Sequence, residues 1–130
     1  MKISYSKERR PPIPVLEIKI YSPIKNGYAK IVAYVDTGFD GGILIPFSLY
    51  ENLGLTLVEE PHLSHGVFPS GSIIKLHTAV TEIEMAGFKM NTHVYSSPFI
   101  HRKLVGREVL NNLILLLNGP QRELEIKTDI

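Results

Sequence analysis

The chain has 130 residues, with 14 Lys or Arg against 13 Asp or Glu, 44% hydrophobic residues and no cysteine. That length suits one domain burying its own core without disulfide or metal staples, and a formal charge of +1 excludes the basic excess of a nucleic-acid-binding protein. Lack of cysteine removes thiolate catalysis, Cys-ligated metals and a disulfide framework together.

The opening MKISYSKERRPP carries charge and proline where a secretory leader would be apolar, and no run is long enough to span a bilayer. A soluble, cytoplasmic protein with no membrane partner is expected. Residues 1–14 read as an extended, solvated, basic and proline-rich arm, and residues 15–130 as the folded domain. From Val15 onward, Leu16, Ile18 and Ile20 alternate with Glu17, Lys19 and Tyr21, the period of a half-buried strand. Asn26-Gly27 supplies a turn that tolerates positive φ, and Ala29, Ile31, Ala33 and Val35 alternate on the way back. The hairpin ends at Asp36. A short apolar run, Ile43-Leu44-Ile45, stops at Pro46, and FSLYENLGL predicts a helix of about two turns closed by Gly54.

Further on, residues 63–68 and 72–80 flank the turn signal Pro69-Ser70-Gly71, and residues 82–85 and 88–95 flank Ala86-Gly87, which predicts two more hairpins. LVGREVLNNL places an apolar pair before Gly106 and then a short helix. Residues 115–117 and 123–126 bracket Asn118-Gly119-Pro120 as a last hairpin. Eight or nine short strands with one or two short helices make an all-β fold.

The stretch VDTGFDGG, Val35 to Gly42, asks why an apolar strand should run into a carboxylate. One answer is a polar turn, since Asp bonds its own backbone two residues on. A calcium loop fits poorly, because Phe47 stands at the twelfth position, where a bidentate Glu is needed, and Gly38 at the third. A catalytic carboxylate is the third answer, and Asp36 alone does not decide.

Three elements in order do point somewhere: Tyr34-Val35 before Asp36-Thr37-Gly38, the hairpin HGVFPSGSIIKL, and Leu104-Val105-Gly106 leading into a short helix. Together they resemble the retropepsin-like aspartic proteases, the single-domain relatives of pepsin, over most of the chain. The resemblance implies a closed pepsin-half barrel with a flap hairpin. It also implies an aspartic endopeptidase that cleaves peptides or unfolded protein, without cofactor, between apolar residues. Such chemistry needs one carboxylate as base towards water and another as acid. This chain carries one DTG, so the second must be Asp36 of another copy in a two-fold homodimer. Two carboxylates held close share a proton, which predicts activity on the acid side of neutrality.

The resemblance further implies that Thr37 grips the paired loop, that Gly38 allows close approach, and that Asp40 and Arg107 form a bracing ion pair beside Gly106. Phe68, Pro69, Ser70 and Gly71 would form the flap tip over substrate, with Phe68 where many pepsin relatives carry Tyr. Leu124 and Ile126 belong either to a solvated strand or, as in retroviral members, to an intersubunit sheet. A competing reading keeps the fold as a non-hydrolytic dimerisation or peptide-binding module. The five histidines do not suggest a metal: only His62 and His65 are close, and in a strand they would point to opposite faces. Serine-hydrolase and phosphate-loop motifs are absent.

Overall fold

The computed structural model of the chain describes residues 1–67 and 69–127. The strands are β1 (Lys2–Ser4), β2 (Val15–Tyr21), β3 (Tyr28–Val35), β4 (Ile43–Leu44), β5 (Ser64–Val67), β6 (Ile73–Met85), β7 (Phe88–Ser96), β8 (Leu104–Val105), β9 (Ile114–Asn118) and β10 (Glu123–Lys127). Two short helices, α1 (Phe47–Asn52) and α2 (Arg107–Leu110), and a 3-10 turn at Leu55–Leu57 complete it. The fold is mostly β, and its hairpins fall where the alternating patterns place them.

β2 and β3 pair from Val15↔Tyr34 to Tyr21↔Tyr28. The alternation buries Leu16, Ile18 and Ile20 with Ile31 and Ala33 on one face, while Glu17 and Lys30 turn outward. Gly27, at φ 134°, makes the turn. The sheet runs β2-β3-β8-β4-β7-β6-β5, and β2 also pairs β6 through Lys19↔Glu84 and Ile20↔Ile83. Six strands therefore close into a barrel, leaving few unpaired edges. β5 pairs only with the first residues of β6, from Val67↔Ile73 to Ser64↔Leu76, so this hairpin projects from the barrel as a flap.

β6 is one strand of 13 residues where the sequence pattern predicts two, ending at Val80 and restarting at Glu82. The polar Thr81 suggests a break. In the fold Thr81 shares a buried face with Ala79 and Ile83, and its hydroxyl donates to the Tyr21 carbonyl at 2.7 Å. A satisfied hydroxyl costs the core little, so the strand continues.

Residues 2–6 are not a solvated arm, although residues 7–11 are exposed. β1 pairs β10 in the register Lys2↔Glu125 to Ser4↔Glu123, the Tyr5 N–H donates to the Arg122 carbonyl at 2.9 Å, and Ser6 exchanges backbone hydrogen bonds with Ile13. Ile3 packs on the main core. Proline and charge mask this pairing in the sequence, because one inward-facing apolar residue carries the strand. Leu124 and Ile126 are buried within their own chain, in the sheet β1-β10-β9, with 0% and 5% exposure. A solvated strand does not describe them. Glu123, Glu125 and Lys127 take the opposite face, as the period of two requires.

Candidate active site

Asp36 follows the last residue of β3. Val35 lies beside Val105 in the parallel β3–β8 pair, and the Asp36 N–H donates to the Val105 carbonyl at 3.0 Å. Asp36 is half-buried while Thr37 and Gly38, at the loop tip, are exposed. The Gly38 N–H donates to Asp36 Oδ1 at 2.9 Å and the Phe39 N–H to the Asp36 carbonyl at 3.2 Å. The carboxylate is thereby fixed by a backbone donor and keeps its other oxygen for a further partner.

The loop after Asp36 is held by the start of α2. Gly106 N–H donates to the Gly42 carbonyl at 2.8 Å, Arg107 N–H to Phe39 at 2.8 Å and Glu108 N–H to Gly41 at 3.2 Å. Three amides at the start of the helix, which have no acceptor within it, thus find carbonyls of the Asp36 loop. The approach is close enough to demand glycine: a Cβ on Gly106 would lie 2.5 Å from the Phe39 carbonyl oxygen and 2.6 Å from its ring. The Arg107 guanidinium donates through Nη1 to the Thr37 carbonyl at 3.1 Å. The expected Asp40–Arg107 ion pair is not formed; among the described residues neither side chain takes part in a salt bridge. Asp40 and Arg107 are both exposed, where an ion pair gains little over hydration, and the Thr37 carbonyl holds the guanidinium instead.

Asp36 lines a cleft of about 950 Å³ together with Gly38 and Phe39. The flap residues Gly66, Val67 and Pro69 and the segment Phe99, Ile100, His101 and Arg102 also line it. A small apolar cluster of Leu44, Leu76 and Ile100 lies beneath. At the flap tip Gly71 has φ 89°, and Val67 and Ile73, paired across the hairpin, are 70% and 71% exposed. Phe68 lies outside the described residues.

A polar network behind the loop escapes sequence reading. Glu108, on α2, accepts through Oε1 from the Thr92 hydroxyl at 2.9 Å and the His93 N–H at 3.0 Å, and lies 2.8 Å from His93 Nδ1. His93 Nε2 lies 3.1 Å from Glu60. The bond to Glu108 raises the His93 pKa against the opposing effect of burial. Burial alone would raise that of Glu108, but the bonds from His93 and Thr92 outweigh it and lower the value. The network ties β7 to the helix that holds the loop. Glu59 similarly meets His77 at 3.1 Å and accepts from the Tyr50 hydroxyl at 3.0 Å. Each pairing joins residues at least nine positions apart, and only the inward-facing Thr92, a polar residue in an apolar alternation, hints at it. His62 and His65 are both exposed, and among the described residues no group of three or more His, Cys, Asp or Glu could hold a metal ion. Nor is any described helix long and apolar enough to cross a membrane.

The closed barrel, the projecting flap and the acid-bearing loop locked by a glycine and a short helix define a retropepsin-like fold. EIAV protease, solved in complex with the inhibitor HBY-793, superposes with a TM-score of 0.60 at 17% sequence identity, covering 85% of this chain and 93% of that one. At that identity the likeness is one of fold. No protein-family model and no curated protein matches the chain.

Proposed function

We propose that the chain is an aspartic endopeptidase active as a homodimer. The observation that supports this reading is that Asp36, half-buried and held by the Gly38 amide, lines an open cleft together with the flap residues Gly66, Val67 and Pro69. A lone carboxylate is a poor catalyst of amide hydrolysis, so a second Asp36 from another copy completes the site.

In that dimer one Asp36 is ionised and takes a proton from a water lying between the two carboxyls. The other is protonated and hydrogen-bonds the scissile carbonyl oxygen. As the water oxygen bonds to the carbonyl carbon, the second Asp36 gives its proton to the carbonyl oxygen and a neutral tetrahedral diol forms; the first Asp36 then protonates the amide nitrogen while the second takes a proton from a diol hydroxyl, so that the C–N bond breaks, acid and amine leave, and one proton is again shared by the pair. Gly106 and Arg107 keep the loop in place, with Thr37 and Gly38 at the paired tips and Asp40 alongside. Pro69, Ser70 and Gly71 cover the substrate. The Leu44, Leu76 and Ile100 cluster favours apolar side chains near the cleaved bond, and a volume near the top of the usual ~300–1,000 Å³ range suits an extended peptide.

The test is cleavage of unfolded protein at acidic pH by the wild type and by Asp36→Asn, each with and without a statine-type transition-state inhibitor. Activity that is inhibitor-sensitive and lost in the variant is expected. Equal turnover by both proteins removes Asp36 from the chemistry.

A further inference from the structure

We propose that the cleft selects acidic peptides, with Arg102 as the side chain that reads a substrate carboxylate. This rests on the peptidase reading above and names the substrate class for that same site. The whole chain is nearly neutral, with 14 Lys or Arg against 13 Asp or Glu, yet its charge is segregated. No Asp or Glu occurs from Pro61 to Thr81, the stretch that contains the flap, and none from Met85 to Arg107, the stretch that leads into α2. The same two stretches hold Lys75, Lys89, Arg102, Lys103 and Arg107 and all five histidines. Of the charged groups that line the cleft, the carboxylates are Asp36 and Asp40 and the permanent cations are Arg102 and Arg107, joined by His65 and His101. In the proposed mechanism Asp36 shares a proton with its copy, so it is only half ionised. Two guanidinium groups therefore outweigh the acids, and imidazoles can only add to that excess.

Arg102 is the cation placed to read a ligand. It is exposed, and among the described residues no carboxylate pairs with it. Arg107 is likewise without an acid, but its guanidinium already holds the Thr37 carbonyl. The backbone of the Arg102 segment is fixed on both sides. Ile100 is buried in the apolar cluster with Leu44 and Leu76, and the Lys103 carbonyl accepts from the Tyr34 N–H at 2.9 Å. A guanidinium offers a rigid fork of donors that matches a carboxylate, and a cleft lined mainly by one sign of charge focuses its field on what enters. Two residues of extended chain span ~7 Å. A bound peptide that sets an apolar side chain over Leu44, Leu76 and Ile100 therefore brings a carboxylate within two residues of it to Arg102. A Lys or Arg at that position meets a like charge and is rejected.

Three matched peptides test this, each with the same apolar pair at the scissile bond and with Glu, Gln or Lys two residues away on both sides. They are compared at low salt and about pH 5.5, where a free glutamate is ionised. For the wild type, kcat/KM on the Glu peptide should exceed that on the Lys peptide on the order of 10-fold, with Gln between them, and ~0.5 M NaCl should shrink the ratio. Arg102→Gln should cut the Glu-to-Lys ratio at least ~3-fold and Arg102→Glu should invert it. Lys30→Gln, at an exposed position on β3 that does not line the cleft, should leave the ratio unchanged. Fluorescence anisotropy of the same labelled peptides on wild type and on Asp36→Asn reads affinity without cleavage, and the Kd values should follow the same order. A wild type that cleaves the Glu and Lys peptides equally, or a ratio that Arg102→Gln does not move, overturns this inference and leaves the peptidase reading standing. If no peptide is cleaved, the peptidase reading falls and affinity decides alone: tighter binding of the Glu peptide that Arg102→Gln abolishes upholds the acidic preference, whereas equal or undetectable binding of the Glu and Lys peptides overturns it as well.

Discussion

Gly106→Ala isolates the contact that sets the acid loop. The native residue has φ −110° and ψ −172°, extended backbone open to alanine, so the substitution carries no conformational strain. The whole cost is steric. The new methyl would meet the Phe39 carbonyl at 2.5 Å, and the Gly41 carbonyl also lies within contact distance. Overpacking costs ~1–3 kcal/mol. Retreat of the loop stretches or breaks the bonds Gly106 N–H to Gly42 and Arg107 N–H to Phe39, both 2.8 Å, at ~0.5–1.5 kcal/mol each. Together these give about 2–6 kcal/mol, a large share of the ~5–15 kcal/mol that holds a domain folded. Urea denaturation measures the loss, with Gly119→Ala as control, since a Cβ at Gly119 meets nothing within 4 Å. The control should stay within ~0.5 kcal/mol of wild type. A Gly106→Ala protein as stable as the control, and equally active, would show that the close approach does not constrain the loop.

Two further changes probe the supports of the site. Arg107→Met removes the 3.1 Å bond to the Thr37 carbonyl at an exposed position; stability should fall by no more than ~1 kcal/mol, whereas kcat should fall with KM little changed, and a variant with wild-type kcat would deny Arg107 a positioning role. The His93 network predicts a pH window for stability. Its His93 part is complete below the ordinary value of 6.5 and is lost as pH rises through the raised folded value; its Glu108 part is complete above the ordinary 4.5 and is lost as pH falls through the lowered one. The urea midpoint, compared at about pH 5.5 and about pH 8.5, should drop more in the wild type than in His93→Asn. Identical drops would show that the His93–Glu108 pair does not carry the dependence.

The barrel strands are legible in the sequence because their cause is local: Leu16, Ile18 and Ile20 alternate, and Gly27 adopts the positive φ that Asn-Gly signals. The retropepsin likeness is likewise carried by Asp36-Thr37-Gly38 and Leu104-Val105-Gly106, and the fold sets Val35 directly beside Val105. Features fixed by distant partners are not legible. β1 hides behind prolines and charges because its pairing energy comes from β10, more than a hundred residues away. Thr81 reads as a break until the Tyr21 carbonyl that satisfies it is known. Arg107 and Asp40 look like an ion pair by charge alone, whereas geometry gives the guanidinium a carbonyl. The tie from Glu108 to His93 joins α2 to β7 and exists only once the barrel has closed.

Mixing wild type with Asp36→Asn under subunit exchange asks most directly whether catalysis belongs to two chains or to one. If each active centre needs an Asp36 from both copies, an equal mixture should lose roughly half the activity per wild-type chain, because half of those chains then sit in mixed dimers. Activity per wild-type chain that is unchanged by the variant, with exchange verified by mass, would contradict a shared carboxylate pair.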